Sequence, residues 1–143
     1  MQSRAAIARP SGVESGNRQD PEVRRRLSGP AMRSFFRLAA KWELSVGQQR
    51  GLLGWPAAST YHKYKSGQVG ILSFDTLTRI SLLLGICKAL HILYPQAELA
   101  DRWIKLGNLN PMFGGKSPLD LMIDGGIDGL YTVRRFLDGR RGG

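Results

Sequence analysis

The 143 residues carry a formal net charge of +10, with 21 Lys and Arg against 11 Asp and Glu. Hydrophobic residues make up 42%, enough for a core, which excludes wholesale disorder, and the basic balance points to polyanionic partners. With one cysteine and two histidines, an internal disulfide and a cysteine-rich zinc site are excluded, and the chain is poorly supplied for a His-based metal site.

The charge is unevenly spread. Asp75 is the lone acid between residues 45 and 95, whereas residues 96–143 are nearly balanced. Two roles along one chain are expected from this. No apolar signal region follows the start, and the apolar run over residues 80–93 is broken by Ser81, Lys88 and His91. That run is too short and too polar for a bilayer span, so a cytoplasmic protein without a membrane is expected.

Residues 1–27 hold Pro10, Gly12, Gly16 and Pro21 without apolar periodicity, and read as a flexible basic arm ending in Arg24, Arg25 and Arg26. That arm is either solvated or in contact with phosphate. From Ser28 the pattern becomes helical, with Pro30 in the first turn. Met32, Phe35, Phe36, Ala39 and Trp42 then share one face, and Arg33, Arg37 and Lys41 the other. Ser45 and Gln48 form a capping box for a short helix that ends at Gly54. Pro56 opens a second short helix with Tyr61 and Tyr64 inward, closed by Gly67 and Gly70. Ser73 caps a long apolar helix to about residue 94, which holds Cys87 as a small packed hydrophobe. A further helix over residues 96–106 carries Leu99, Trp103 and Leu106. A turn-rich connector then leads to Ser117-Pro118, a short helix, Gly125-Gly126, a last helix over about 127–137 and a basic tail.

The expected fold is all-α, with a flexible arm over 1–27, a helix-turn-helix bundle over 28–94 and a small helical unit over 95–143. Most large apolar residues lie upstream of residue 106, so that part is expected to fold without the last helix. The two short helices around Leu53-Gly54-Trp55 form the helix-turn-helix, whose second helix would lie in the major groove of operator DNA. Ser59, Thr60, His62 and Lys63 are its candidate reading residues, and Lys65 would reach a phosphate. That helix has no Arg, Asn or Gln for bidentate base contacts, so a degenerate module kept for dimerisation is the alternative.

An enzyme is not expected, and neither is a cofactor or a metal. Gly114-Gly115-Lys116-Ser117 lacks the upstream glycine of a phosphate loop and is followed by Pro118. Asp120, Asp124, Asp128 and Asp138 come without a His or Cys cluster. On the last helix, Ile127, Leu130, Val133 and Leu137 form an inward stripe. Phe136 falls outside it beside Arg135, as an aromatic anchor for a partner would.

Trp103-Ile104-Lys105 and the run Asn110-Pro111-Met112-Phe113-Gly114-Gly115-Lys116-Ser117-Pro118-Leu119-Asp120-Leu121-Met122 are more specific. Together with a terminal helix they resemble the signature of the Xre/MbcA/ParS antitoxins, over about residues 28–143, with the ParS branch nearest. The resemblance implies an Xre-type helix-turn-helix followed by a C-terminal toxin-binding domain. It also implies a partner, a RES-type toxin with an ADP-ribosyltransferase-like fold that uses NAD and is blocked at its active site. Phe113, Tyr131, Arg135, Phe136, Asp138, Arg140 and Arg141 are the candidate toxin-binding residues on that reading. Asp138 would mimic a phosphate, and the arginines would pair with pocket carboxylates. A homodimer, or a higher hetero-oligomer with the toxin, and autoregulation of the operon are expected with it. A free-standing helix-turn-helix transcription regulator is the alternative function.

Overall fold

In a computed structural model, residues 19–107 and 111–142 are described, and all their regular structure is helical. The order is α1 Pro21–Lys41, α2 Val46–Leu52, α3 Ala58–Lys65, α4 Phe74–Leu93 and α5 Ala97–Arg102. Two 3-10 turns follow, Trp103–Lys105 and Pro111–Phe113, then α6 Pro118–Asp124 and α7 Gly126–Arg140.

Helix α1 begins earlier than the apolar pattern suggests. The Asp20 carboxylate accepts the Glu22 N–H at 2.9 Å, and Pro21 occupies the first turn, where its missing N–H costs nothing. Residues 21–27, expected in a flexible arm, are therefore helical, and residues 1–18 of that arm lie outside the described residues. Pro30 sits inside α1, not at its start. It is exposed, as is Arg26 one turn before it, so the carbonyl deprived of its donor can turn to water. Arg24 does not lead in from a tail. Its Nη1 donates to the Leu72 carbonyl at 3.4 Å, and the Leu72 N–H donates to Ser28 Oγ at 2.8 Å, which ties the start of α1 to the loop before α4.

Helix α4 is the centre of the molecule and packs against α1, α5 and α7. By length and composition α4 could cross a membrane. Its Ile80, Leu83, Ile86 and Leu90 are instead buried among the other helices, as in a core helix. Cys87 lies at the edge of that core, half-buried, and burial raises its thiol pKa above the usual value. A thiol held protonated in this way is a poor nucleophile.

The expected helix over 96–106 is shorter than its pattern. It tightens into a 3-10 turn at Trp103, which buries Trp103 and Ile104 and leaves Leu106 exposed. Met122, Leu130, Val133 and Leu137 from the end of the chain join Phe35, Leu83 and Leu90 in one continuous core. The upstream bundle thus shares its apolar interior with α7, contrary to the expectation that it stands apart. Close approach also needs small residues, as Gly51 and Gly129 show. A Cβ on Gly51 of α2 would lie 2.8 Å from Ile123 Cγ2, and one on Gly129 of α7 would fall on the Leu121 carbonyl oxygen.

Candidate functional site

Two separate faces carry the expected site residues. The first is built by α2, the turn over residues 53–57 and α3. Ser45 caps α2 as the sequence indicates: its Oγ accepts the Gln48 N–H at 3.1 Å, and the Ser45 N–H donates to Gln48 Oε1 at 2.9 Å. The turn then uses positive φ at Gly54 (90°) and, without a glycine, at Trp55 (61°). Arg50 Nε donates to the Pro56 carbonyl at 3.0 Å and steadies that turn from the α2 side. Pro56 precedes α3, which starts at Ala58.

A buried polar chain fixes α3 against α2. The Tyr61 hydroxyl donates to Gln49 Oε1 at 2.6 Å, and Gln49 Nε2 donates to the Leu44 carbonyl at 3.0 Å. Burial raises the Tyr61 pKa, so the hydroxyl stays protonated as this chain requires. With Tyr61 inward, Ser59, His62, Lys63 and Lys65 are exposed, and Thr60 is half-buried. Lys65 is held in place: its Nζ lies 4.8 Å from the centre of the Phe36 ring of α1. Trp55 was not foreseen as a surface residue. It is 57% exposed at the start of this face, and no sequence signal marks a bulky residue at positive φ.

The second face is the outside of α7. Here the structure places the expected residues in three groups. Tyr131 and Arg135 form an exposed ridge, with the guanidinium carbon 5.9 Å from the ring centre. On one flank Phe136 is half-buried. It stacks on Trp103 at 6.1 Å and meets Phe113 edge-on at 5.2 Å, with Arg140 over its outer side at 5.6 Å. On the other flank Asp138 is paired with Arg134 Nε at 3.1 Å and faces Arg141 Nη1 at 3.9 Å. A Cβ on Gly85 of α4 would fall on the Arg134 guanidinium, so that glycine makes the seat for it.

Four expectations change as a result. Phe113 is 2% exposed and belongs to the core, where it supports Phe136 and has no surface to offer a partner. Phe136 is one wall of an aromatic cluster, not a free anchor, because Trp103 and Phe113 arrive from distant segments. The tail is also shorter than expected. Helix α7 continues through Gly139 to Arg140, so Arg140 lies on a formed last turn and Arg141 caps it. Asp138 is already neutralised within that helix, so it orients its arginine neighbours and is not a bare carboxylate. The Asn110 of the connector motif lies outside the described residues. Trp103 is part of the motif that carries the resemblance, but its place beneath Phe136 was not indicated, and Arg134 and Gly85 were missed. The i,i+4 spacing of Tyr131–Arg135 and of Phe136–Arg140 was the signal available.

The chain was compared with known proteins. Residues 21–85 match the model of the antitoxin Xre-like helix-turn-helix domain. Residues 89–143 match that of the antitoxin Xre/MbcA/ParS C-terminal toxin-binding domain. A curated relative, uncharacterized protein y4oB of Sinorhizobium fredii (strain NBRC 101917 / NGR234), is 45% identical over 112 residues, covering 78% of this chain and 84% of that protein.

Proposed function

Because the chain belongs to the Xre/MbcA/ParS antitoxin family, with a helix-turn-helix domain followed by a toxin-binding domain, we propose that it neutralises a RES-type toxin that uses NAD. On this reading the chain covers the toxin's active site with the end of α7 and represses its own operon through α3.

The observation that carries the reading is the composition of the exposed α7 surface. Tyr131 and Arg135 stand exposed as one aromatic–arginine pair, and on the same helix Arg140 lies over the outer side of the half-buried Phe136. Tyrosine and arginine with little freedom left to lose are the residue types that dominate binding energy at interfaces. A pocket built for NAD has apolar walls for its rings and polar groups around its ribose and pyrophosphate, and an arginine-tipped aromatic ridge can enter such a space. Phe113 and Trp103 contribute from beneath, by holding Phe136 in position. The chain acts as a homodimer or as part of a larger hetero-oligomer with its toxin.

The test is co-expression with the product of the adjacent gene. A stable complex, and rescue of cells from NAD loss, is the expected result. A chain that binds operator DNA but never retains such a protein would be a free-standing transcription regulator instead.

DNA binding by the isolated chain is expected to be weak in sequence preference and steep in salt dependence. The exposed side of α3 offers Ser59, His62 and Lys63, none of which makes a bidentate base contact. Lys63→Ala should weaken binding equally on the operator and on a scrambled duplex, and reduce the salt slope by about one. Titration of both duplexes over a salt series checks this. Loss confined to the operator would make Lys63 a base-reading residue and contradict the reading.

A further inference from the structure

The basic stripe Arg33, Arg37 and Lys41, which reads in the sequence as a solvated face, does not stand alone. Arg33 and Arg37 of α1 share a groove of ≈ 460 Å³ with Lys65 of α3, floored by Phe36 and Tyr64. Neither arginine has a carboxylate partner among the described residues. Arg37 Nη2 donates only to Ser34 Oγ at 3.2 Å, and the Arg33 guanidinium lies beside Gly29, where a Cβ would come within 3.3 Å of its Nη1. From residue 21 to residue 70 the only acids are Glu22 and Glu43, at opposite ends of α1. The cations of the groove are therefore uncompensated, and one of them is already fixed by the Phe36 ring.

We infer that this groove is a second DNA-backbone site, in which Arg33, Arg37 and Lys65 take consecutive phosphates of the strand that leaves the C-terminal end of α3. The inference rests on the DNA-binding reading of α3 and extends it. Lys65 belongs to both surfaces, so a duplex seated on the exposed side of α3 has the groove directly beside it. Its volume is far more than one ion needs and accommodates a sugar–phosphate segment. The aromatic floor offers deoxyribose an apolar contact, and the cations above it neutralise the phosphates without reading bases. Two devices limit the entropy lost on binding. Lys65 is held over a ring, and Arg33 lies along its own helix where Gly29 leaves room. This also gives a reading helix without bidentate side chains a means of binding DNA at all: its affinity comes from the backbone.

The experiment uses the full chain and two labelled duplexes of about 30 base pairs, one from upstream of its own gene and one scrambled, titrated across a salt series. Arg33→Ala with Arg37→Ala should weaken binding to both duplexes about ten-fold or more near 100 mM salt, and lower the slope of log K against log salt by about two. The control pair Arg102→Ala with Lys105→Ala removes the same charge from two residues that do not line the groove, and should leave the slope unchanged. Wild-type binding that persists with an unaltered slope in the Arg33/Arg37 variant overturns the groove but leaves the α3 reading in place. An equal loss in the control pair also overturns it, because net charge alone would then be acting. Absence of wild-type binding to either duplex at low salt overturns both the α3 reading and the groove. Thermal unfolding of both variants should match the wild type, since these four side chains are exposed.

Discussion

Gly129→Ala is expected to lower the unfolding midpoint by roughly 6 °C and to weaken neutralisation with it. On helix propensity alone the change should stabilise α7 by about 1 kcal/mol. The packing argues the other way. A Cβ at residue 129 would fall on the Leu121 carbonyl oxygen and 3.3 Å from the Met122 Cα, both backbone atoms of α6 that cannot rotate aside. That carbonyl already accepts the Gly125 N–H at 2.8 Å, the bond that closes α6. Helix α7 must move out, which pulls Leu130 and Val133 from the core and tilts the Tyr131–Arg135 ridge. Overpacking of this kind costs about 3 kcal/mol when the obstacle is rigid, so the clash outweighs the propensity gain. Gly139→Ala is the internal control: it lies in the same helix with nothing within 4 Å of its new Cβ, and should be neutral or mildly stabilising. Thermal melts of the two variants side by side decide the matter. Equal midpoints would mean that α6 and α7 are not packed as described.

Ending the chain at residue 125 should abolish cooperative unfolding and not merely toxin binding. The deletion removes Leu130, Val133 and Leu137, each no more than 1% exposed, and uncovers the side of α4 they pack on. Each such side chain contributes about 1.5–3 kcal/mol on burial. Three of them approach the whole stability of an ordinary domain, about 5–15 kcal/mol. The aromatic cluster also loses Phe136, leaving Trp103 and Phe113 open to water. Circular dichroism should show reduced helicity and a broad melt. A truncated chain that melts sharply near the wild-type midpoint would show that residues 19–125 form a self-sufficient unit.

The elements that could be read from the sequence are those fixed by neighbours along the chain. The Ser45–Gln48 capping box, the Ser73 and Ser117 caps and the reversal at Gly54 each depend on groups within a few residues, and each stands in the structure as its pattern indicates. The inward stripe of α7 was legible for the same reason, since 3.6-residue periodicity is local. What escaped depends on segments far apart. Phe136 looked like an exposed anchor because nothing in its own helix says that Trp103 and Phe113 come to meet it. The start of α1 was hidden by composition: a Pro- and Gly-bearing stretch read as an arm, although Asp20-Pro21-Glu22 is a sound helix start. The pattern ends α7 near residue 137, yet one glycine beyond that point does not stop the helix when Leu137 is already anchored in the core. The groove beside α3 needed two elements to be set together before the Arg33–Arg37 stripe acquired a meaning.

The central claim is that the end of α7 occupies the NAD pocket of a toxin. Its most direct test is a competition measurement: NAD turnover by the partner toxin, followed against antitoxin concentration at several NAD levels. The account predicts that raising NAD raises the antitoxin concentration needed for half-inhibition. It also predicts that Arg140→Ala with Arg141→Ala weakens inhibition while the antitoxin's own melt is unchanged, both side chains being exposed at the last turn of α7. Half-inhibition that does not move with NAD, together with a ternary complex of toxin, NAD and antitoxin, would contradict it.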